Sequence, residues 1–368
     1  MKALLLSEYS KLDIADLPTP HAGPGEVLVQ VAACGICGSD VHGYDGSSGR
    51  RIPPLVMGHE AAGIIAEVGD GVQRFAPGDR VTFDSTVYCG QCHFCQRGQI
   101  NLCDSRQVVG VSTPDFRRAG AFAEYVTVPE RIVYKLPEGM SFAEAAMLEA
   151  VAVAVHAVAV TELQPSDTAL VIGAGMIGLL IVQALRAAGC HTVLVADVDS
   201  TRLKLAAEAG ATATLVSSGG GASHADPSGA IVAQVHGLTD GRGVDVVLEA
   251  VGRDETVAAA IEAVRKGGTV TLVGNITPSV NLPLQKVVSR QIRLQGSCAS
   301  SGEYPESIEL VSSGKIKVTP LITSIAPLED GAEWFARLHA REPNLMKIVL
   351  DPRISPGMEA HAIEESLQ

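Results

Sequence analysis

The residues best suited to chemistry begin with four thiols, Cys89-Gly-Gln-Cys92-His-Phe-Cys95 followed by Cys103. The spacing C-x2-C-x2-C-x7-C gathers four soft ligands in fifteen residues, the donor set of a closed tetrahedral zinc site. With no position left open, such a zinc is structural and staples a lobe that has little core of its own. C-x2-C-x2-C also begins ferredoxin runs. Here the fourth cysteine comes after seven intervening residues and no proline follows it, which favours zinc over an iron–sulfur cluster. His93, inside the loop, is expected to be exposed rather than a ligand.

A second set could form an open metal site: Cys37, the pair His59-Glu60, and Glu149. A catalytic zinc takes about three protein ligands and keeps one position for water or substrate. Taken singly, Cys37 is an ordinary buried thiol and His59 an ordinary satisfied histidine. Glu149 lies among Leu148, Ala150 and Val151, and a carboxylate in such company needs a partner, for which a metal would serve. Sequence leaves Glu60 and Glu149 as alternative third ligands.

The third feature is Gly173-Ala-Gly175-Met176-Ile177-Gly178. It follows an apolar strand and opens a helix, the context that gives a glycine fingerprint its meaning. Gly173 permits the tight turn, Gly175 lets the backbone approach a pyrophosphate at the helix N-terminus, and Gly178 allows close helix–sheet packing. Asp197, nineteen residues past Gly178, is expected to accept from ribose hydroxyls and so to favour NAD over NADP. Arg202 could stack on adenine or tolerate a 2′-phosphate. Val273, Gly274, Asn275 and Ser297 are taken as further cofactor contacts. Two zinc sites, one structural and one catalytic, with one nicotinamide site point to zinc-assisted hydride transfer between an alcohol and a carbonyl.

Two kinds of scaffold must position these groups. Residues 1–150 carry short strands such as Val27–Cys34, Ala62–Gly69 and Asp79–Phe83, bounded by Pro24-Gly25 and Pro77-Gly78, and predict an irregular β-rich domain with a zinc lobe at 85–110. From Phe142 one long Ala/Val-rich helix is expected to run toward Val160. Strands at 168–172, 191–197, 244–248, 269–273 and 292–296 then alternate with helices at 176–188 and 201–209. That alternation means a doubly wound parallel sheet over 151–296. Residues 297–368 are expected to return to the first domain and to end in a polar tail from Asp351 onward, loosely ordered or packed at a subunit edge. The Gly/Ser-rich stretch 217–229 is expected to be a surface loop.

Composition narrows the function further. The chain has 368 residues, 46% hydrophobic and only 4% aromatic, with a net charge of −13. An acidic balance opposes binding to nucleic acid or to an anionic membrane. The apolar stretch 145–160 is too short and too polar to span a bilayer, and no secretory signal is visible. Eight cysteines with four clustered suit metal and free thiols in the cytoplasm better than disulfides; Cys190 and Cys298 are expected to be small buried side chains. A non-enzymatic NAD-binding zinc protein, such as a redox sensor, and a zinc-module nucleic-acid binder are the alternatives from other classes.

The chain resembles the zinc-dependent medium-chain dehydrogenases, in the sorbitol, galactitol-phosphate and threonine dehydrogenase branch. The stretches that carry the resemblance are Cys34 to His42, Gly58-His59-Glu60-Ala-Ala-Gly63, the four-cysteine lobe, Gly120 to Tyr125, Gly173 to Gly178 and Asp240 to Gly252. The resemblance implies a GroES-like catalytic domain, a Rossmann domain and a cleft between them. It implies a catalytic zinc on Cys37 and His59 with Glu60 or Glu149, and a proton relay through Ser39 and His42. A glutamate rather than a cysteine at Glu149 selects the polyol branch, whereas Ala150 and Gly296-Ser-Cys-Ala-Ser300 depart from it. The implied reaction takes a secondary alcohol of a polyol or sugar alcohol to a ketose, with threonine or a vicinal diol as the alternative substrate. Tyr44 is a candidate substrate contact, and Arg50-Arg51 and Arg117-Arg118 are candidates for holding a sugar phosphate. A homodimer or homotetramer is expected.

Overall fold

The computed structural model describes residues 1–164, 166–217 and 227–355. The chain divides into two compact units: Met1–Glu149 with Ser300–Ser312 and the segment from Val318 onward, and Ala150–Ala299 with Ser313–Lys317.

The first unit is built on the strand Glu26–Gly35, which is buried along nearly its whole length. It pairs antiparallel with Glu60–Val68, Tyr125–Pro129 and Lys347–Asp351, and the sheet continues to Arg80–Phe83 and Val133–Lys135 on one side and Ile322–Pro327 on the other. Valines and alanines fill both faces, and Phe83, Phe122 and Phe335 close the core. Register places functional residues at one end of this sheet. Gly35 faces Glu60 on one neighbour and Val349 on the other. Gly63 is required where the strands cross closely, because a Cβ there would lie 2.0 Å from the Gln30 carbonyl oxygen. A short helix, Gly38–Tyr44, leaves the end of Glu26–Gly35 and carries Ser39, Asp40, His42 and Tyr44.

The second unit holds a six-stranded parallel sheet. In space the order is Ala213–Val216, Thr192–Asp197, Thr168–Ile172, Val244–Glu249, Val264–Leu272, Arg293–Gly296. Numbered along the chain this is 3-2-1-4-5-6, the doubly wound arrangement expected for dinucleotide binding. Helices Met176–Ala187 and Ser200–Glu208 end before Gly189 and Gly210, both at positive φ (89° and 106°), where only glycine is unstrained. Asp199 caps the second helix through the backbone N–H groups of Thr201 and Arg202. Among the described residues no helix is long and apolar enough to cross a membrane.

Four local expectations change. The helix from Phe142 is two helices, Phe142–Ala146 and Leu148–Ala159. A capping box of Ser141 and Glu144 starts the first, and its last turn tightens as Met147 N–H bonds to the Glu144 carbonyl three residues back. The loop expected at 217–229 is already helical from Pro227, and residues 218–226 lie outside the described residues. Asp351 is not the start of a polar tail but the 3% exposed end of a strand, paired with Arg353; the tail beyond 355 lies outside the described residues. Cys298 is exposed, whereas Cys190 is buried.

Candidate metal centres and dinucleotide site

In the first unit Cys37, His59 and Glu60 each offer one ligand atom, and these atoms lie within 4.8 Å of one another. Each comes from a different constraint. Cys37 caps the helix Gly38–Tyr44, His59 follows Gly58, whose φ is +92°, and Glu60 opens the strand Glu60–Val68. His59 is 6% exposed and Glu60 2%. His59 Nδ1 faces Asp40 Oδ2 at 3.4 Å, and among the described residues neither atom has another partner. This leaves Nε2 for a cation, the usual way a carboxylate orients a ligating histidine. Asp40 is fully buried and is anchored on its other oxygen by Arg51, at 3.1 and 2.9 Å.

The electrostatics of this cluster favour positive charge. Burial alone would push His59 down, but Asp40 and Cys37 outweigh it and hold the imidazole well above its usual value. Burial likewise opposes ionisation of Asp40, yet His59 and Arg51 draw its carboxyl down to about 2. The field that favours an imidazolium also favours a divalent metal, and one sulfur, one nitrogen and one carboxylate oxygen are a zinc donor set with a place left open. Glu149 lies outside this set of three. It accepts from Ser85 Oγ at 3.2 Å, and burial raises its carboxyl.

The four cysteines of the lobe also bring their sulfurs within 4.8 Å of one another. Cys89 Sγ and Cys95 Sγ stand 3.9 Å apart. Four bonds of ~2.3 Å to one tetrahedral ion would separate sulfurs by about 3.8 Å, whereas a disulfide needs ~2.05 Å. Backbone N–H groups of Gln91 and Cys92 donate to Cys89 Sγ at 3.4 and 3.3 Å and draw that thiol down to about 6. His93 is exposed.

In the second unit the glycine turn is fitted to a phosphate. Gly173 has φ +98°, and a Cβ on Gly178 would sit 1.7 Å from the Gly173 carbonyl oxygen, so helix and strand meet only because both are glycine. Among the described residues nothing lies within 4 Å of a Cβ built on Gly175, the N-cap, and no side chain caps this helix. The space and the bare N–H groups suit an anion. Met176 and Ile177, half-buried, begin the helix. Asp197 closes the second strand; its oxygens accept from Ala174 N–H at 2.6 Å and Asp199 N–H at 2.8 Å. The Val273 and Gly274 N–H groups both bond to the Glu249 carbonyl at 2.9 Å, Asn275 is exposed, and Ser297 has a buried hydroxyl with no partner among the described residues. Arg202 is exposed and faces Asp199 at 3.7 Å.

Comparison with known proteins follows the same division. Residues 23–138 match the alcohol dehydrogenase GroES-like domain, and residues 177–313 the zinc-binding dehydrogenase domain. The sorbitol dehydrogenase of Bacillus subtilis (strain 168) is 34% identical over 358 residues, which is 96% of this chain and 97% of that protein. The chain belongs to the zinc-binding alcohol dehydrogenase family. A zinc-binding dehydrogenase from Sinorhizobium meliloti 1021, solved bound to NADP, superposes with a TM-score of 0.83 at 32% identity, covering 95% of this chain and 99% of that one. Galactitol-1-phosphate dehydrogenase from Escherichia coli superposes with a TM-score of 0.86 at 29% identity, covering 96% and 100%.

The remaining candidates in this dehydrogenase take the following places. Ser39 is exposed, with Oγ 3.5 Å from His59 Nε2, and His42 is exposed one turn further along the same helix. The Tyr44 hydroxyl donates to the Ser10 carbonyl at 2.7 Å and its ring packs on Phe335 and His339. Arg51 is 4% exposed and bound to Asp40, so it does not belong to a surface phosphate site. Arg118 is paired with Glu26 at 2.6 Å, while Arg50 and Arg117 are exposed. Sequence reasoning missed Asp40, Ser85 and Lys347. Asp40 lay in view between Ser39 and His42; the other two become neighbours of the cluster only through folding.

Proposed function

We propose that this dehydrogenase oxidises a secondary alcohol of a polyol or sugar alcohol to a ketose, with NAD as hydride acceptor. The observation that carries the reading is the set of half-buried Cys37 with buried His59 and Glu60, with one ligand atom from each within 4.8 Å of the others. A site with one thiolate and a carboxylate is harder than one with two thiolates, which suits a hydroxyl-rich substrate. The relatives named for sorbitol and for galactitol 1-phosphate support the same substrate class.

Cys37, His59 and Glu60 would hold a zinc ion, which would supply Lewis acidity toward a hydroxyl oxygen. The chain's own groups do the rest. Asp40 and Arg51 fix the His59 ring. Arg51 also donates to Ser39 Oγ at 3.2 Å, which leaves the serine's own proton available to a relay. The hydroxyl proton would leave through Ser39 and, by way of the cofactor ribose, reach solvent at exposed His42. In the second unit Gly173–Gly178 would receive the pyrophosphate of NAD and Asp197 its ribose, and the bound cofactor would supply hydride-accepting chemistry. The second zinc, on Cys89, Cys92, Cys95 and Cys103, is structural in this reading.

The enzyme is taken to work in the cytoplasm, where thiols stay reduced, as a homodimer or homotetramer. Exposed Ile276, Leu282, Leu284 and Val288, just upstream of the edge strand Arg293–Gly296, support such an assembly. The deciding measurement is kcat/KM with NAD for xylitol, sorbitol and galactitol against ethanol, benzyl alcohol, threonine and 2,3-butanediol. Polyols should lead. A preference for a primary alcohol or for threonine would reject the polyol reading and leave the dehydrogenase assignment in place.

A further inference from the structure

The strand Lys347–Asp351 is buried from end to end, and its first residue is a lysine 3% exposed. An ammonium in that position costs several kcal/mol unless it is paired and hydrogen-bonded. Lys347 Nζ donates to Glu60 Oε2 at 2.5 Å and to the Ile36 carbonyl at 3.1 Å. Both partners adjoin the metal-capable cluster: Ile36 precedes Cys37, and Glu60 follows His59. Gly35 is what lets the pair close. A Cβ on Gly35 would lie 2.4 Å from Glu60 Oε2 and 3.4 Å from Lys347 Cδ.

A second carboxylate shares the electrostatic surroundings of the cluster. Glu149 feels the charges of His59, Glu60 and Lys347, but its hydrogen-bond donor is the neutral hydroxyl of Ser85 at 3.2 Å. It falls outside the group of three ligand atoms. The formal charges close only with the lysine included. A divalent ion is balanced by the Cys37 thiolate and one carboxylate; the other carboxylate is balanced by Lys347, and Asp40 is balanced separately by Arg51. A carboxylate can give one oxygen to an ammonium and the other to a metal, so an ammonium fixed on Glu60 Oε2 orients that side chain without excluding it from coordination.

We propose that Lys347 is a positioning residue that makes Glu60, and not Glu149, the carboxylate that joins Cys37 and His59 at the metal. The inference rests on reading Cys37 and His59 as the open zinc site, and it settles which of the two glutamates completes it.

The test counts zinc in the full-length chain by elemental analysis after equilibration against a series of chelator concentrations. Zinc in the four-cysteine lobe, which no variant touches, reports folding. Wild type and Glu149→Gln should each hold about two zinc ions per chain, with open-site midpoints within about threefold of each other. Glu60→Gln and Lys347→Met should release the open-site zinc at about tenfold to a hundredfold less chelator, and Lys347→Arg should recover most of that loss. Glu149→Gln added to Lys347→Met should weaken retention again, because Glu149 then serves as the substitute. The proposal is overturned if Glu149→Gln strips the open site as Glu60→Gln was expected to do, or if Lys347→Met leaves the midpoint unchanged. If Lys347→Met loses the lobe zinc as well, it has misfolded, and the comparison of Glu60→Gln with Glu149→Gln decides. A wild type that holds lobe zinc alone, with Cys37→Ser no different, would overturn the open-site reading itself and this inference with it.

Discussion

Asp84 follows the strand Arg80–Phe83 and is 2% exposed, with its carboxylate accepting from Thr86 N–H at 2.8 Å and Ser300 Oγ at 3.3 Å. Burial pushes it up to about 7; the Thr86 N–H opposes the rise, and the charge of Glu149 adds to it. A raised value means that the folded chain holds this proton more tightly than the unfolded chain does. The stability it contributes is therefore fully present below about 3.8 and is lost as pH rises through about 7. Asp84→Asn should remove that dependence, so that relative to wild type it gains about 1–3 kcal/mol in going from pH 5 to pH 8. Urea unfolding at the two pH values checks this; an unchanged difference would assign the slope to another group. Asp197 is a second single-residue case. Its oxygens already stiffen the glycine turn through Ala174 and Asp199, so Asp197→Ala should both weaken NAD binding and erode the NAD-over-NADP ratio of kcat/KM by about tenfold or more. A wild type that prefers NADP would transfer the decision to Arg202. Residues carried by short-range spacing, such as the four cysteines and the three glycines, were legible in the sequence. Arg51 and Lys347 were not. An arginine beside another arginine ordinarily faces solvent, and Lys347 meets Glu60 across 287 positions of chain, which only strand register brings together.

At the scale of elements, the parallel sheet and its helices were legible because apolar strands, an Asp199 cap and glycine stops recur at the right intervals. The first unit was less so. Its sheet draws Lys347–Asp351 beside Glu26–Gly35, and no periodicity announces a pairing between the two ends of the chain. The break at Met147 was also hidden, since Ala and Val continue across it and only the tightened turn marks it. The cysteine lobe is the element whose order depends most on metal. It contributes two two-residue strands, Thr86–Val87 and Gln107–Val108, a four-residue helix, and few buried apolar side chains. Cys92→Ser removes one of four thiolates, and should lower Tm and release the lobe zinc while the open-site zinc stays. Zinc per chain falling from about two to about one, with the remaining ion still needed for turnover, is the expected record. Loss of both ions together would mean that the lobe and the open site are not independent.

At the scale of the whole molecule, the net charge of −13 sets how substrates approach. A dianionic phosphate ester is repelled over distances up to the Debye length, about 10 Å at 0.1 M salt, whereas a neutral polyol is not. A phosphate site could offset this with converging cations, and the paired arginines were the candidates for one. Two of the four are already committed: Arg51 is buried against Asp40, and Arg118 is held by Glu26. Arg50 and Arg117 remain on the surface, long side chains whose ordering would cost about 2 kcal/mol each. The free polyol should therefore be the better substrate, with kcat/KM about tenfold or more above that of its phosphate ester at low ionic strength. Raising salt from about 0.03 to 0.3 M should narrow the gap by improving the ester alone, because only its repulsion is screened. The measurement is a salt series of kcat/KM for galactitol and galactitol 1-phosphate side by side. An ester favoured at low salt, with a preference that fades as salt rises, would show attraction instead of repulsion and would place a working phosphate site at Arg50 or Arg117, which Arg50→Gln and Arg117→Gln would then tell apart.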